Sequence, residues 1–175
     1  SIDESKGTVT MVSIPRDTYV ENDRIGYGTR LNSLYELVYD ETEDHVEAET
    51  VIEEQVESIM GMDIQYFAKI DFKGFKEIVD ALGGITVETT EVIADEFYPA
   101  EDGSSQLYDP FYLSPGTHTF DGETALKYVR SRHNTSDFSR AQRQQEVIAA
   151  LKDKALSIGV LTSPGKIKDV YTAVS

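Results

Sequence analysis

The segment FKGFKEIVDALGGITVE, residues 72–88, decides the fold class. Apolar side chains at helical spacing predict a helix over residues 72–82, and four of them face the core: Phe75, Ile78, Val79 and Leu82. Gly83 and Gly84 end this helix, because glycine readily adopts the left-handed backbone that follows many helices. The alternating residues 85–90 then predict a strand. A helix followed at once by a strand indicates an α/β fold.

The residues before this segment continue the alternation of strands and helices. The predicted elements are strands over residues 8–14 and 64–71, helices over 31–39 and 47–60, and a loop over 21–30. Gly61 is suited to the left-handed position after the second of these helices. Pro15 ends the first strand, so Arg16 and Asp17 follow a strand end, where open α/β sheets place ligands.

The residues after it also alternate. The predicted elements are a long loop over residues 95–115, a helix over 122–127 capped by Asp121, a long helix from Ser136 or Asp137 to about Ser157, and a further helix over 161–171. The aromatic residues of the long loop either cover an apolar ligand or pack on the surface. In the long helix, the predicted core residues are Phe138, Ala141, Val147, Ile148 and Leu151. We therefore predict one α/β domain in α-β-α layers.

Composition and charge exclude several classes of function. The 175 residues carry a net charge of -16, which argues against nucleic-acid binding because the protein repels phosphate backbones. The chain has no cysteine, which excludes disulfides, thiolate nucleophiles and Cys-based zinc sites. No apolar run approaches the roughly 18 residues of a membrane helix.

The arginines of this acidic chain fall into two blocks. The early block holds Arg16, Arg24 and Arg30, and the late block holds Arg130, Arg132, Arg140 and Arg143. No arginine lies between Arg30 and Arg130. Because the guanidinium fork binds phosphate oxygens bidentately, two distant blocks suggest two segments that meet around one anion. The alternative is a set of surface ion pairs with the abundant Asp and Glu.

The late block offers a specific geometry for anion binding. An extended backbone would put Arg130 and Arg132 on one face, whereas a helix would splay them apart. Asp137, Arg140 and Gln144 fall at i, i+3 and i+7 in the first two turns of the last helix, where the helix terminus favours anions. Asp137 either orients an arginine, helps to hold a metal, or caps the helix. Neither Ser13 nor Ser131 lies in a nucleophile elbow, so covalent catalysis has no support.

Five motifs, in order, make the chain resemble one protein family. They are VSIPRDTYV (12–20), RLNSLYELV (30–38), FKGFKEIVDALGGITVE (72–88), LSPGTHTFDGETALKYVRSRH (113–133) and DFSRAQRQQEVI (137–148). The sequence is similar to the LytR-CpsA-Psr proteins of bacterial cell envelopes. The resemblance implies an α-β-α sandwich around a mixed sheet, with a groove for a polyprenyl chain and an arginine-lined mouth for its pyrophosphate. Residues 1–175 would be the catalytic domain.

The resemblance also implies an activity and the residues that carry it. The family transfers anionic glycopolymers, such as teichoic acid or capsular polysaccharide, from an undecaprenyl pyrophosphate carrier to peptidoglycan, with Mg²⁺ as cofactor. By motif match, the implied catalytic residues are Arg16, Asp17, Arg130, Arg132 and Asp137, and the implied substrate-binding residues are Arg30, Arg140, Arg143 and Gln144. Asp17 would orient Arg16. Phosphoryl transfer depends on such positioning and charge stabilisation.

The family pattern also includes elements beyond these residues. A strand with an Arg-x-Asp motif and a further Asp, which hold the magnesium, precede the position of Ser1 in the family, and a final segment follows Ser175. We therefore expect metal ligands outside this chain, weak or no transfer by residues 1–175 alone, and an extracytoplasmic location with an N-terminal membrane anchor. The alternatives are a non-catalytic polyprenyl-phosphate binder, a lipid pyrophosphatase, and a transcriptional attenuator, which the acidic charge disfavours.

Overall fold

A computed structural model describes residues 1–3, 8–100, 106–132 and 137–158 of the chain. The predicted helix over 161–171 and the Ser136 cap lie outside the described residues. The chain divides into two compact units, Ser1–Lys69 and Ile70–Ser175. That the two units together form one catalytic domain over residues 1–175 stays a prediction.

The first unit contains a β-hairpin where the sequence predicts a loop. Strands β3 (Tyr19–Asn22) and β4 (Tyr27–Arg30) pair antiparallel, with Tyr19 opposite Arg30. Gly26 takes a positive φ of 74° in the turn between them, a conformation that glycine adopts without strain. The prediction of a loop over 21–30 is wrong because one glycine serves a tight turn and the flanking residues pair as strands.

Two helices form the core of the first unit. Helix α1 (Leu31–Thr42) is longer than predicted at its C-terminal end, and helix α2 (His45–Met60) is longer at its N-terminal end. Their buried residues form one cluster: Leu34, Val38, Ala48 and Val51. Asp44 caps α2 by accepting hydrogen bonds from the backbone N–H groups of Val46 and Glu47 at 2.8 and 3.3 Å. As predicted, Gly61 follows α2 in the left-handed conformation, with φ of 65°.

One predicted strand forms only at its start, and another does not form. Within residues 8–14, β2 (Thr8–Val9) pairs antiparallel with β1 (Ile2–Asp3), and residues 10–14 are not in a strand. None of the described strands includes residues 64–71, where Tyr66 is 93% exposed. The missing parts have one reason in common: a strand is stabilised by a neighbouring strand, and residues 10–14 and 64–71 have no strand partner among the described residues.

The second unit is built from the segment that decides the fold class. Helix α3 (Phe72–Ala81) ends at Leu82, and Gly83 and Gly84 both have positive φ, as predicted. Strand β5 (Ile85–Thr89) alternates buried and exposed residues and pairs antiparallel with β8 (Gly116–Phe120), with Ile85 opposite Phe120. The buried face of this pair belongs to a cluster that includes Val79 of α3.

The predicted long loop begins and ends in a second hairpin. Strands β6 (Ile93–Asp95) and β7 (Phe111–Leu113) pair antiparallel, and a bridge between Pro99 and Tyr108 extends their association. Phe111 is buried, whereas Leu107 is 82% exposed. The prediction of an irregular loop from residue 95 is therefore wrong at both ends.

Helix α4 (Gly122–Arg130) begins as predicted and extends beyond residue 127. The Asp121 carboxylate caps it by accepting the Thr124 N–H at 2.8 Å. At Gly122, an added Cβ would lie 2.4 Å from the Lys76 carbonyl oxygen of α3, so this close approach requires glycine. The Gly122 N–H donates to Asp80 at 2.7 Å. The start of α4 is thus packed tightly against α3.

Helix α5 (Asp137–Ser157) is confirmed, but its core face differs from the predicted one. Val147 is 1% exposed and Leu151 packs against the core, whereas Phe138 is 80% and Ile148 54% exposed. The buried stripe runs through Arg143, Val147 and Leu151 at i, i+4 and i+8. Phe138 and Ile148 fall outside this stripe, so their assignment to the core is wrong.

The α/β class is confirmed. The described strands pair in four two-stranded antiparallel sheets, which the five helices accompany. Among the described residues, no helix has the length and apolar character needed to cross a bilayer.

Candidate anion-binding site

The early block places two arginines around one carboxylate. Arg16 Nε lies 3.5 Å from one Asp17 oxygen, and Arg30 Nη1 lies 3.5 Å from the other. All three side chains are exposed, at 57% for Arg16, 47% for Asp17 and 69% for Arg30. We call these three residues the early arginine set. Asp17 thus contacts Arg30 as well as the predicted Arg16.

The start of α1 fixes the backbone of the early arginine set. The backbone N–H groups of Leu31 and Asn32 donate to the carbonyls of Thr18 and Arg16, both at 2.9 Å. Thr18 in turn donates to the Pro15 carbonyl from its N–H at 3.0 Å and from its hydroxyl at 2.6 Å. The turn at residues 15–18 thereby satisfies the first free N–H groups of the helix. Arg24, by contrast, pairs with Glu41 and Glu47.

The first two arginines of the late block lie where α4 ends. Arg130 is the last helical residue, Ser131 has an extended ψ of 133°, and Arg132 follows outside the helix. The two predicted backbone conformations for residues 130–132 are fully extended and fully helical, and the structure shows neither. Arg130 is half-buried and Arg132 is exposed, while Ser131 between them is 0% exposed.

Two aromatic rings hold the Arg130 guanidinium. Its central carbon lies 4.1 Å from the Phe72 ring centroid and 5.5 Å from that of Tyr98. Arg130 Nη1 also donates to the Tyr98 hydroxyl at 3.3 Å. Burial raises the pKa of the Tyr98 phenol, although the Arg130 charge acts in the opposite direction. The phenol is therefore neutral at physiological pH and can accept this hydrogen bond.

Ser131 is held from two sides. Its hydroxyl donates to Asp95 Oδ2 at 3.1 Å, and the backbone N–H of Arg132 donates to the same oxygen at 2.9 Å. On the other side, Arg143 Nη2 donates to the Ser131 carbonyl at 2.6 Å. Asp95 and Arg143 are 4% and 5% exposed. We call Arg130, Ser131, Arg132, Asp95 and Arg143 the late arginine set.

Burial gives Arg143 a different environment from the other predicted ligands. Its guanidinium lies over the Tyr128 ring at 5.8 Å, and burial lowers its pKa. A cavity of about 50 Å³ beside it is lined by Tyr128, Ser139, Glu91 and Glu146 among others. Because two carboxylates line this cavity, it is poorly suited to an anion. In the described structure, Arg143 stabilises the Ser131 backbone through a hydrogen bond to its carbonyl.

The remaining predicted residues lie on α5. Asp137 is its first residue, Arg140 is half-buried, and Gln144 is exposed. Their places in the first two turns agree with the predicted i, i+3, i+7 spacing. The side chain of Asp137 lies outside the description, so its three possible roles stay predictions.

Each unit therefore assembles its own arginine set. The structure brings Arg16, Asp17 and Arg30 together, and it brings Arg130, Arg132 and Arg143 together around Ser131. The two sets belong to different compact units, and their meeting around one anion stays a prediction.

The described residues do not fit a magnesium site. No group of three or more His, Asp or Glu side chains in the described part of the chain is placed to hold a metal ion. The carboxylates nearest the arginines are already engaged, Asp17 with two guanidinium groups and Asp95 with Ser131 and Arg132. No metal ligand is assigned from these residues.

Sequence reasoning missed three residues that organise the late set: Asp95, Tyr98 and Phe72. Asp95 and Tyr98 fall in or beside the segment predicted as a loop, and Phe72 begins a helix. Each lies more than 30 residues from the arginine it contacts or supports, so no local spacing connects them. The DEFY sequence at residues 95–98 is the available signal, since it puts a carboxylate and aromatic residues next to a strand end.

Comparison with known proteins identifies the family. The sequence profile of the LytR_cpsA_psr family matches residues 1–175. The polyisoprenyl-teichoic acid–peptidoglycan teichoic acid transferase TagU of Bacillus subtilis is 31% identical over 176 residues, which cover 99% of this chain and 49% of TagU. The chain spans about half the length of the curated relatives it matches.

Solved structures give the same relationship. The crystal structure of B. subtilis TagV matches with a TM-score of 0.70 and 28% identity, over 99% of this chain and 60% of TagV. A structure of the LytR-CPS2A-psr family protein YwtF (TagT), with bound octaprenyl pyrophosphate lipid, matches with a TM-score of 0.57 and 26% identity, over 82% of this chain and 52% of TagT. The chain belongs to the LytR-CpsA-Psr family.

Proposed function

We propose that this protein transfers an anionic glycopolymer from a polyprenyl pyrophosphate carrier to peptidoglycan. The family membership supports the proposal, as do the names of the relatives TagU and TagT as teichoic acid transferases. The bound octaprenyl pyrophosphate of the TagT structure supports the carrier class. Which glycopolymer is transferred, teichoic acid or capsular polysaccharide, is left open.

The late arginine set is the observation that carries the proposal. It gathers Arg130, Arg132 and Arg143 at the end of one helix in a chain of net charge -16. Arg130 is held against two rings and Arg132 is exposed, so one restrained and one exposed guanidinium fork are available to phosphate oxygens. A local cationic site of this kind binds pyrophosphate although the protein as a whole is acidic.

The proposed reaction needs no covalent intermediate with the protein. The Ser131 hydroxyl is buried and donates to Asp95, so it is not available as a nucleophile. A hydroxyl oxygen of peptidoglycan attacks the phosphorus on the glycopolymer side, and the bond from that phosphorus to the polyprenyl phosphate breaks. The departing phosphate takes the hydroxyl proton. The arginines stabilise the charge that develops on the phosphate oxygens.

Magnesium remains part of the proposal without a ligand among the described residues. The expectation is that chelation by EDTA abolishes transfer and that added Mg²⁺ restores it. Arginine-dependent lipid binding should persist in EDTA. Transfer that is unaffected by EDTA would contradict the magnesium requirement and leave the arginine site in place.

Binding without turnover is the second candidate, since guanidinium groups alone suffice to hold a pyrophosphate. A lipid pyrophosphatase would use the same site with water as the acceptor. Incubation with a radiolabelled lipid-linked glycopolymer and peptidoglycan separates the three functions. Label in peptidoglycan indicates the transferase, free phosphorylated glycopolymer indicates the pyrophosphatase, and unchanged bound lipid indicates the binder. A rate from residues 1–175 equal to that of TagU would contradict the expected weak activity of this chain.

Native mass spectrometry with octaprenyl pyrophosphate tests the site directly. The wild-type chain should retain the lipid, and the Arg130→Ala/Arg132→Ala variant should lose it. Arg24→Ala is the matched control, because Arg24 already pairs with Glu41 and Glu47. Equal retention by all three proteins would refute the arginine site.

Peptidoglycan as the acceptor places the proposed reaction on the extracytoplasmic face of the membrane. A membrane anchor and a cell-wall location remain proposals that follow from this acceptor. Fractionation of cells that express the full-length protein, with protease added outside the cytoplasmic membrane, measures the location. Protection from the protease would contradict it.

A further inference from the structure

Asp95 is a buried carboxylate to which the proposed reaction gives no role. It ends β6 and is 4% exposed. Its Oδ1 accepts the Phe97 N–H at 3.3 Å, and its Oδ2 accepts the Ser131 hydroxyl and the Arg132 N–H at 3.1 and 2.9 Å. Because burial of an ionised carboxylate is costly, its bonds must compensate for lost hydration.

Those bonds converge on the backbone that joins Arg130, the last residue of α4, to Arg132. The Asp95 carboxylate holds the Ser131 hydroxyl and the next N–H, and Arg143 holds the Ser131 carbonyl at 2.6 Å. Rotation of the Ser131 backbone would break at least one of these three contacts. The bonds to Asp95 are charge-assisted and therefore stronger than those of a neutral acceptor.

The fixed backbone determines where the flanking side chains start. Arg130 leaves from the last residue of α4 and reaches Phe72 and Tyr98. The backbone N–H of Arg132 is held by Asp95, and the Arg132 side chain is exposed. A shift at Ser131 would therefore move both arginines. The bonds of Asp95 to the Ser131 hydroxyl and the Arg132 N–H act on this backbone.

We propose that Asp95 is a positioning residue, which locks the Ser131–Arg132 backbone so that Arg130 and Arg132 bind the two phosphates of the carrier together. This inference rests on the proposed function, because it deepens the role of the same site. It assigns to Asp95 no contact with the lipid.

The test compares Asp95→Asn with Asp80→Asn. Asp80 accepts the Gly122 N–H at the start of α4, whereas Asp95 accepts the Arg132 N–H just after the end of the same helix. Each variant therefore disturbs a different terminus of α4. Asp95→Asn should weaken octaprenyl pyrophosphate binding on the order of tenfold or more, a loss of the size seen when supporting contacts of metal ligands are removed. Asp80→Asn should leave binding near that of the wild type.

Two further readouts separate positioning from general destabilisation. The side-chain N–H NMR signals of Arg130 and Arg132 should shift in ligand-free Asp95→Asn and stay in place in Asp80→Asn. In a double-mutant cycle, Asp95→Asn should add little to the loss caused by Arg130→Ala/Arg132→Ala, because it acts through those two residues. If Asp95→Asn fails to fold, Ser131→Ala removes one bond to Asp95 and should show smaller changes of the same kind.

The outcomes distinguish this inference from the proposed function. Wild-type binding that is lost in the arginine variant but retained in Asp95→Asn and Ser131→Ala would overturn the positioning role alone. Absence of wild-type binding would count against the proposed function. In that case the ligand-free arginine signals still decide the role of Asp95, since unshifted signals overturn it and shifted signals support it.

Discussion

The two arginine sets differ in what surrounds them. In the early set, Arg16 and Arg30 lie on either side of Asp17, and all three side chains are about half exposed or more. In the late set, Asp95, Ser131 and Arg143 are buried, and Arg130 is held by rings. Solvent screens the early ion pairs, so they fix geometry weakly. One residue type thus serves as a solvated contact in one unit and as part of a rigid frame in the other.

The largest effect should come from the tight packing between α3 and the start of α4. Gly122→Ala would put a Cβ 2.4 Å from the Lys76 carbonyl oxygen and should lower the free energy of unfolding by about 3 kcal/mol. Gly61→Ala, in the first unit, meets no atom within 4 Å but requires a positive φ, so about 1 kcal/mol is expected. Urea denaturation measures both. If Gly122→Ala lowers the free energy of unfolding no more than Gly61→Ala does, α3 and α4 move apart to accommodate the added Cβ at little energetic cost.

The early set should contribute less than the late set to lipid binding. Arg16→Ala/Arg30→Ala is expected to weaken octaprenyl pyrophosphate binding about tenfold, against a hundredfold or more for Arg130→Ala/Arg132→Ala, since a hydrogen bond to a charged group contributes about 1.5–3 kcal/mol when its geometry is fixed. Isothermal titration calorimetry provides the dissociation constants. An unchanged constant in the early variant would remove that set from the site.

A smaller effect should come from the helix caps, one in each unit. Asp121→Ala and Asp44→Ala each remove a carboxylate that accepts backbone N–H groups, and each should cost about 1 kcal/mol at pH 7. The hydrogen bonds to Thr124 lower the pKa of Asp121 below its ordinary value of 3.8. Its contribution is therefore present above that value and lost as the pH falls through the lower, folded-state pKa.

Thermal unfolding of Asp121→Ala and the wild type between pH 7 and pH 2 checks this dependence. The difference in melting temperature should shrink at the acidic end. A difference that persists at pH 2 would show that the charge of Asp121 is not the source of its contribution.

The smallest effect should be on the stability of the early set. Arg16→Ala/Arg30→Ala should change the free energy of unfolding by less than about 0.5 kcal/mol, because exposed ion pairs contribute little. Measurement at low and high salt provides the control, since a screened pair loses its remaining contribution in salt. A loss above about 1 kcal/mol would mean that Asp17 holds the turn before α1 more firmly than its exposure indicates.

Local signals made the second unit the more predictable of the two. Helix α3, its two glycines, strand β5 and the Asp121 cap each follow from a few adjacent residues. The hairpin of β3 and β4 could not be predicted from glycine positions, because the same glycines suit a loop. Residues 10–14 and 64–71 have strand-like composition, but a strand also depends on a partner, which local composition does not reveal.

The candidate site was predictable in its arginines and not in their support. Their clustering in an acidic chain pointed to an anion, and the positions on α5 agree with the predicted spacing. The burial of Arg143 was missed although it shares a helix face with Val147, because arginine side chains are rarely buried. Asp95 and Tyr98 reach the end of α4 through the β6–β7 hairpin, a contact over more than 30 residues that no periodicity encodes.

The aromatic setting of Arg130 also has an entropic consequence. A free arginine side chain loses up to about 2 kcal/mol of rotamer entropy when a ligand immobilises it. Contacts with Phe72 and Tyr98 restrict Arg130 when the chain folds, so that loss no longer opposes ligand binding. Arg132, which is exposed, still loses its rotamer freedom at the moment of binding. Two arginines two residues apart thus differ in how much of their intrinsic attraction for a phosphate becomes affinity.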